Sequence, residues 1–147
     1  MHHIGVVVAD HEKAEREYVS RFGYLAVTPK IHDSVQTAWI QFLRLPGDLA
    51  YLELVSPDRS DSKLSNALTR GLPLNHICWA TTNIQESLRH LRAQGAIVIA
   101  RPTPAVAFNG ACIAWLVGSD RMLTELVEQK FPVEEWSDER WFANSAI

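Results

Sequence analysis

Apolar and polar residues alternate along this chain in short runs, and the same succession of runs occurs twice. A β-branched stretch over 2–9 gives way to Asp10, a good helix N-cap. A helix follows through about Phe22 and stops at Gly23. Three strands are expected next, at about 24–30, 36–44 and 49–55, with the turn residues Pro46-Gly47-Asp48 before the last. The second half starts again with a strand around 75–82 and Asn83 as cap, with Glu86 in capping-box position. Its helix, Ile84 to Gln94, carries Ile84, Leu88 and Leu91 on one face and ends at Gly95. Strands at about 96–101, 111–117 and 122–128 complete it, with Gly118-Ser119-Asp120 as turn material.

The two halves also match residue for residue. His3-Ile4-Gly5-Val6-Val7 answers to His76-Ile77-Cys78-Trp79-Ala80, and Tyr51-Leu52-Glu53-Leu54-Val55 to Leu123-Thr124-Glu125-Leu126-Val127. Gln36-Thr37-Ala38-Trp39-Ile40 lines up with Asn109-Gly110-Ala111-Cys112-Ile113. Asp10 and Gly23 have Asn83 and Gly95 as counterparts, and the offset stays at 72 to 73 throughout. An internal duplication explains this. The expected fold is α+β: two βαβββ modules forming a cupped, eight-stranded mixed sheet with the helices outside.

One domain is expected over 1–131, with modules at about 1–56 and 74–131 and a connector at 57–73. The connector opens on turn chemistry and should hold a short helix from about Lys63 to Thr69, closed by Gly71. The tail, 132–147, has no counterpart in the first half; Trp136 and Trp141 suggest that it packs on this domain or on a partner chain.

Composition narrows the functional classes. At 147 residues the chain can bury a core without staples, and 47% hydrophobic with 21% charged residues is ordinary for a globular protein. A formal charge of -3 offers no basic field for nucleic acid or a membrane surface. Cys78 and Cys112 fit no metal-ligand or redox spacing and read as core residues. The first residues run straight into strand and helix pattern, without a signal-peptide pattern, and no apolar run approaches bilayer length. A cytoplasmic protein with no membrane partner is expected.

The candidate chemistry lies in the duplicated positions. Strand alternation puts His3 with Gly5 and Val7 on one face, and Glu53 with Tyr51 and Val55 on one face. His76 with Cys78, and Glu125 with Leu123 and Val127, repeat the arrangement. If the strands curl into a cup, the four groups converge inside it. Glu53 and Glu125 sit in apolar strands, where an unpaired buried carboxylate costs on the order of several kcal/mol or takes up a proton. A divalent cation would compensate. Two imidazoles with two carboxylates suit Ni, Co, Mn, Fe(II) or Zn, and argue against a thiolate-rich structural zinc site.

A lone strand histidine or glutamate is more often a core or surface residue than a ligand. The recurrence of both types at matched positions is what favours a metal. His2 points to the face opposite His3 and has Asn75 as its counterpart. His11, His32 and His90 have no matched partner and read as solvated. Trp39, Phe42, Trp79 and Trp115 lie on strands and read as core or cavity lining.

The segments His3-Ile4-Gly5-Val6, Tyr51-Leu52-Glu53-Leu54, Asn75-His76-Ile77-Cys78 and Thr124-Glu125-Leu126-Val127 resemble the vicinal oxygen chelate superfamily. That group includes glyoxalase I, methylmalonyl-CoA epimerase, extradiol dioxygenases and drug-resistance proteins. The resemblance runs from residue 2 to about 129 and implies paired modules around a metal, commonly in a homodimer. Ser62 to Gly71, leading into Leu74-Asn75-His76-Ile77, looks like the epimerase linker, whereas the set His3, Glu53, His76 and Glu125 looks more like glyoxalase I. The epimerases carry a second acid/base glutamate in the third strand. The matching Thr37-Ala38-Trp39-Ile40-Gln41-Phe42 has no carboxylate, and Gln41 cannot shuttle a proton.

These residues lead to an expectation of proton transfer at an enolisable carbonyl of a small-molecule substrate, by an isomerase, epimerase or glyoxalase-like lyase. Glu125 has first claim as base, Glu53 can serve the opposite face of the carbon, and His3 and His76 anchor the metal. An Fe(II) dioxygenase using His3, His76 and Glu125 is one alternative, against which Glu53 counts as a fourth ligand. A non-enzymatic, drug-binding resistance protein with an aromatic cleft is the other.

Overall fold

A computed structural model describes residues 1–132 and 135–142. Among the described residues, backbone contacts gather the chain into two compact units, one from His3 to Asn75 and one from His76 to Phe142 with Met1 and His2 added.

The first unit runs β1 (His3–Val7), α1 (His11–Phe22), β2 (Leu25–Ala26), β3 (Ile31–Asp33), β4 (Ala38–Arg44), β5 (Tyr51–Pro57) and α2 (Ser65–Thr69). Its strands lie in the order β2-β4-β5-β1, with β3 also on β4. β1 pairs with β5 in parallel, and β4 with β5 antiparallel. The helix between β1 and the later strands makes the parallel pairing reachable. Asp10 caps α1 by accepting from the Lys13 amide at 2.9 Å. Gly23, at φ 77, closes the helix, its N–H returning to Val19 while the Tyr24 N–H returns to the Tyr18 carbonyl.

The second unit runs β6 (Leu74–Thr81), α3 (Ile84–Ala93), β7 (Ile97–Pro104), a 3-10 turn at Val106–Phe108, β8 (Cys112–Val117), β9 (Leu123–Glu128) and α4 (Asp138–Trp141). Its order is β6-β9-β8-β7, with β6 parallel to β9 and the other pairs antiparallel. Asn83 caps α3 through the Glu86 amide at 3.0 Å. The fold is therefore the expected α+β arrangement of two βαβββ modules. The described residues hold nine strands rather than eight, because Ile31–Asp33 pairs separately with β4.

Each unit packs its helix on one face of its sheet. Leu43, Leu52 and Leu54 meet Ala14 and Tyr18 of α1. Ile84, Leu88 and Leu91 of α3 meet Ala114, Leu116 and Leu126. Burying each such leucine contributes roughly 1.5–3 kcal/mol. Because side chains alternate along a strand, Glu53 and Glu125 face away from the helices.

Other expectations need correction. Trp79 is 48% exposed, because α3 leaves that part of β6 uncovered. Trp39 is half-buried, with the Lys30 ammonium 5.1 Å from its ring centroid and the His32 ring at 4.6 Å. His32 is exposed, in keeping with the solvated reading, and its Nε2 lies 2.9 Å from Asp58 Oδ2. The described part of the tail packs on its own unit. Trp141 and Phe142 are buried, and the ring of His2 lies 4.3 Å from that of Trp141, 5.3 Å from Phe108 and 5.7 Å from Trp136. Residues 133, 134 and 143–147 of the expected tail lie outside the described residues. Cys78 is buried, as expected of a core residue, whereas Cys112 is only half-buried.

Candidate metal centre

The sheet register puts the duplicated residues in equivalent places. In the first unit Glu53 stands between Gly5 of β1 and Phe42 of β4. In the second, Glu125 stands between Cys78 of β6 and Trp115 of β8. His3 lies two residues before Gly5 and His76 two before Cys78, so each histidine shares a face with its glutamate.

Both pairs are buried, with none of the four residues more than 5% exposed. His3 Nε2 lies 3.6 Å from Glu53 Oε2, and His76 Nε2 lies 3.6 Å from Glu125 Oε2. An aromatic ring stands edge-on to each imidazole: Phe42 against His3 at 5.2 Å, Trp115 against His76 at 4.8 Å. The two half-sites thus agree in ligand type, register, separation and ring packing.

This arrangement fits a divalent ion. Nitrogen and oxygen donors each about 2.0–2.2 Å from a common ion stand roughly 3.3–3.6 Å apart at angles between tetrahedral and trigonal. The observed separation is at the upper end of that range and longer than an ordinary N–H···O hydrogen bond. Buried imidazole and carboxylate are also the donors that Zn, Fe, Mn, Co and Ni accept.

Gln41 has no place beside these ligands. It alternates with Phe42 on β4 and so faces α1, where His11 meets it. His11, expected to be solvated, is 4% exposed. Its Nδ1 lies 2.9 Å from Ser56 Oγ and its Nε2 3.1 Å from Gln41 Oε1, and Gln41 Nε2 donates to Glu15 and to the Thr28 carbonyl. With Gln41 presenting its carbonyl, His11 donates from Nε2 and accepts from the Ser56 hydroxyl at Nδ1, which is the neutral form. Burial holds its pKa below the usual 6.5; Lys30 adds to that, and the Gln41 bond, Glu12 and Glu15 oppose it. The one sign of this cluster in the sequence was a histidine directly after a helix cap.

A groove of about 850 Å³ lies on the helix side of the second unit, lined among others by Trp79, Ser87, His90, Leu91 and Leu126. None of the four candidate ligands lines it. Alternation along β9 directs Leu126 to the groove and Glu125 to the other face, so the groove does not bear on the buried pairs.

The family model described as Glyoxalase/Bleomycin resistance protein/Dioxygenase superfamily matches residues 2–115. No curated protein matches the sequence. Similar solved structures include a Streptomyces coelicolor methylmalonyl-CoA epimerase variant in complex with 2-nitronate-propionyl-CoA. It is 25% identical, with 89% of this chain and 97% of that one covered at a TM-score of 0.76. Methylmalonyl-CoA epimerase from Mycobacterium tuberculosis is 24% identical, covering 86% and 85% of the two chains at a TM-score of 0.76. A hypothetical protein from Bacillus halodurans, 22% identical, covers 92% and 97% at a TM-score of 0.80. The last two likenesses concern the fold alone.

Proposed function

The chain belongs to the glyoxalase/bleomycin resistance protein/dioxygenase superfamily, and from that premise we propose that it is a divalent-metal-dependent enzyme moving a proton at an enolisable carbonyl. The reaction class is isomerase, epimerase or glyoxalase-like lyase. One observation carries this reading: the buried His3–Glu53 and His76–Glu125 pairs, each at 3.6 Å, recur at matched register. One half-site supplies two ligands, and four are needed. The second pair comes from the other module, whether of the same chain or of a second copy in a homodimer.

In this proposal His3 and His76 are neutral anchors, since an imidazole ligates through an unprotonated nitrogen. A bound divalent ion would polarise a substrate carbonyl and stabilise negative charge on neighbouring oxygens. Glu125 takes the proton from the adjacent carbon and returns it, and Glu53 can serve the opposite face. Phe42 and Trp115 pack edge-on against the two imidazoles and limit the access of water to these anchors.

Epimerase neighbours support the isomerase branch, and the CoA ester bound in one of them is a first substrate class to try. The absence of a carboxylate in Ala38–Arg44 supports a division of labour in which both acid/base groups are glutamates of the half-sites.

Metal analysis of the protein, with Glu125→Ala and His76→Ala beside it, tests the centre. About one equivalent of Ni, Co, Mn, Fe or Zn per four-ligand site, lost in both variants, is expected. The reaction is then tested with 2-oxo and 2-hydroxy carbonyls, glutathione hemithioacetals and acyl-CoA thioesters, reading solvent deuterium entering the carbon beside the carbonyl. No metal after incubation with each ion would end the proposal. Iron alone, with oxygen-dependent cleavage of a catechol, would replace it by a dioxygenase.

A further inference from the structure

The two half-sites differ at one residue next to the ligands. Phe42 and Trp115 stand at the same register position and pack edge-on against their histidines, but only Trp115 has a hydrogen-bond donor. Trp115 Nε1 is sealed from solvent and has no hydrogen-bond partner among the described residues. A buried donor left this way is destabilising unless an acceptor arrives, and native proteins rarely retain one without a use. The indole nitrogens of Trp136 and Trp141 are in the same position, but they belong to a segment that adjoins residues outside the described set. Trp115 lies within β8, with both its strand neighbours and its ring partner described.

What could be the acceptor? Glu125 is opposite in register and the His76 ring lies 4.8 Å from the Trp115 ring, which puts the indole beside the two ligands of this half-site. Phe42 offers nothing comparable on the other side. We infer that Trp115 is a substrate-contacting residue whose Nε1–H donates to an oxygen of the substrate, a planar two-oxygen anion or its enolised form. The inference rests on the metal-dependent reading above and adds to it a donor that the Phe42 half-site lacks. Such an N–H bond strengthens as negative charge grows on the oxygen.

The test uses the full chain loaded with its metal and acetohydroxamate, a planar two-oxygen anion, as probe. In ¹⁵N-indole spectra, with Trp115 assigned through the backbone, its Nε1–H resonance should move downfield as acetohydroxamate binds. Trp115→Phe keeps the ring and removes the donor. It should retain the metal and the thermal midpoint while binding acetohydroxamate about tenfold more weakly, roughly 1.4 kcal/mol. An indole resonance that does not respond in the loaded parent overturns the inference even where Trp115→Phe fails to fold. Unchanged affinity in a folded Trp115→Phe does so too, as does a loaded parent that does not take up the probe. A parent that binds no metal defeats the underlying reading and this assignment with it, and the metal analysis alone identifies that case.

Discussion

His11 Nε2 and Gln41 Oε1 meet at 3.1 Å in the space between α1 and β4, on the face of the sheet opposite Glu53. The contact gives Gln41 of β4 a structural place, away from the candidate ligands. Gln41 ties a buried neutral histidine to Glu15 and to the Thr28 carbonyl, with Ser56 completing the cluster.

Stability should therefore fall on mild acidification. His11 has its pKa lowered from 6.5 in the fold, chiefly by burial, so between the lowered value and 6.5 the unfolded chain binds more protons than the native one. The contribution of the neutral imidazole is complete above about pH 6.5 and declines as pH drops through that value. Urea midpoints at pH 7.5 and 5.5 should separate further for the parent than for His11→Gln; equal separations would show that His11 does not govern the response.

The described tail should be a large contributor to the second unit. Trp141 is 1% exposed and packs against His2, Phe131, Trp136 and Phe108. Trp141→Ala should cost about 3–5 kcal/mol in chemical denaturation. A loss below 1 kcal/mol would mean that the aromatic cluster does not persist in solution.

The helix caps should give smaller, matched losses. Asp10 and Asn83 each accept one amide of the first helical turn. Asp10→Ala and Asn83→Ala should each lower stability by about 0.5–2 kcal/mol, measured by thermal or urea unfolding. A loss confined to one of them would break the equivalence of the modules at this point.

The parts of the fold legible in the sequence were those where one local signal determines the outcome. Caps and glycines bounded α1 and α3, and the repeat offset fixed the register that puts Glu53 and Glu125 at matching places. What escaped depended on coverage from elsewhere in the chain. Trp79 alternates correctly for a strand, yet α3 does not reach over it. His11 directly follows a cap, where helical periodicity has not begun, and its burial comes from β4 and β5. Ile31–Asp33 has too few residues to display a period, and only its pairing with β4 makes it a strand. Of the candidate centre, the ligand types and their pairing were legible, but the ring against each histidine was not. Phe42 and Trp115 read only as apolar lining until register and ring packing placed them.

The carboxylates give the sharpest separation between a functional centre and a structural one. Glu53 is 5% exposed and Glu125 3%, each in an apolar strand. A carboxylate held there for metal binding is a cost to the metal-free fold, because burial of its charge opposes folding. Glu53→Gln keeps the shape and removes the charge. In the metal-free protein it should raise the unfolding free energy by roughly 1–2 kcal/mol, or leave it unchanged. In the presence of the preferred ion the order should reverse, since a ligand that binds only the native state stabilises the parent and not the variant. Glu125→Gln should behave alike, because the two half-sites share register and separation. Thermal midpoints of all three proteins, with chelator and then with excess metal, decide the matter. A substitution that destabilises equally in both conditions would make the glutamates structural and remove the ground for assigning them to a metal.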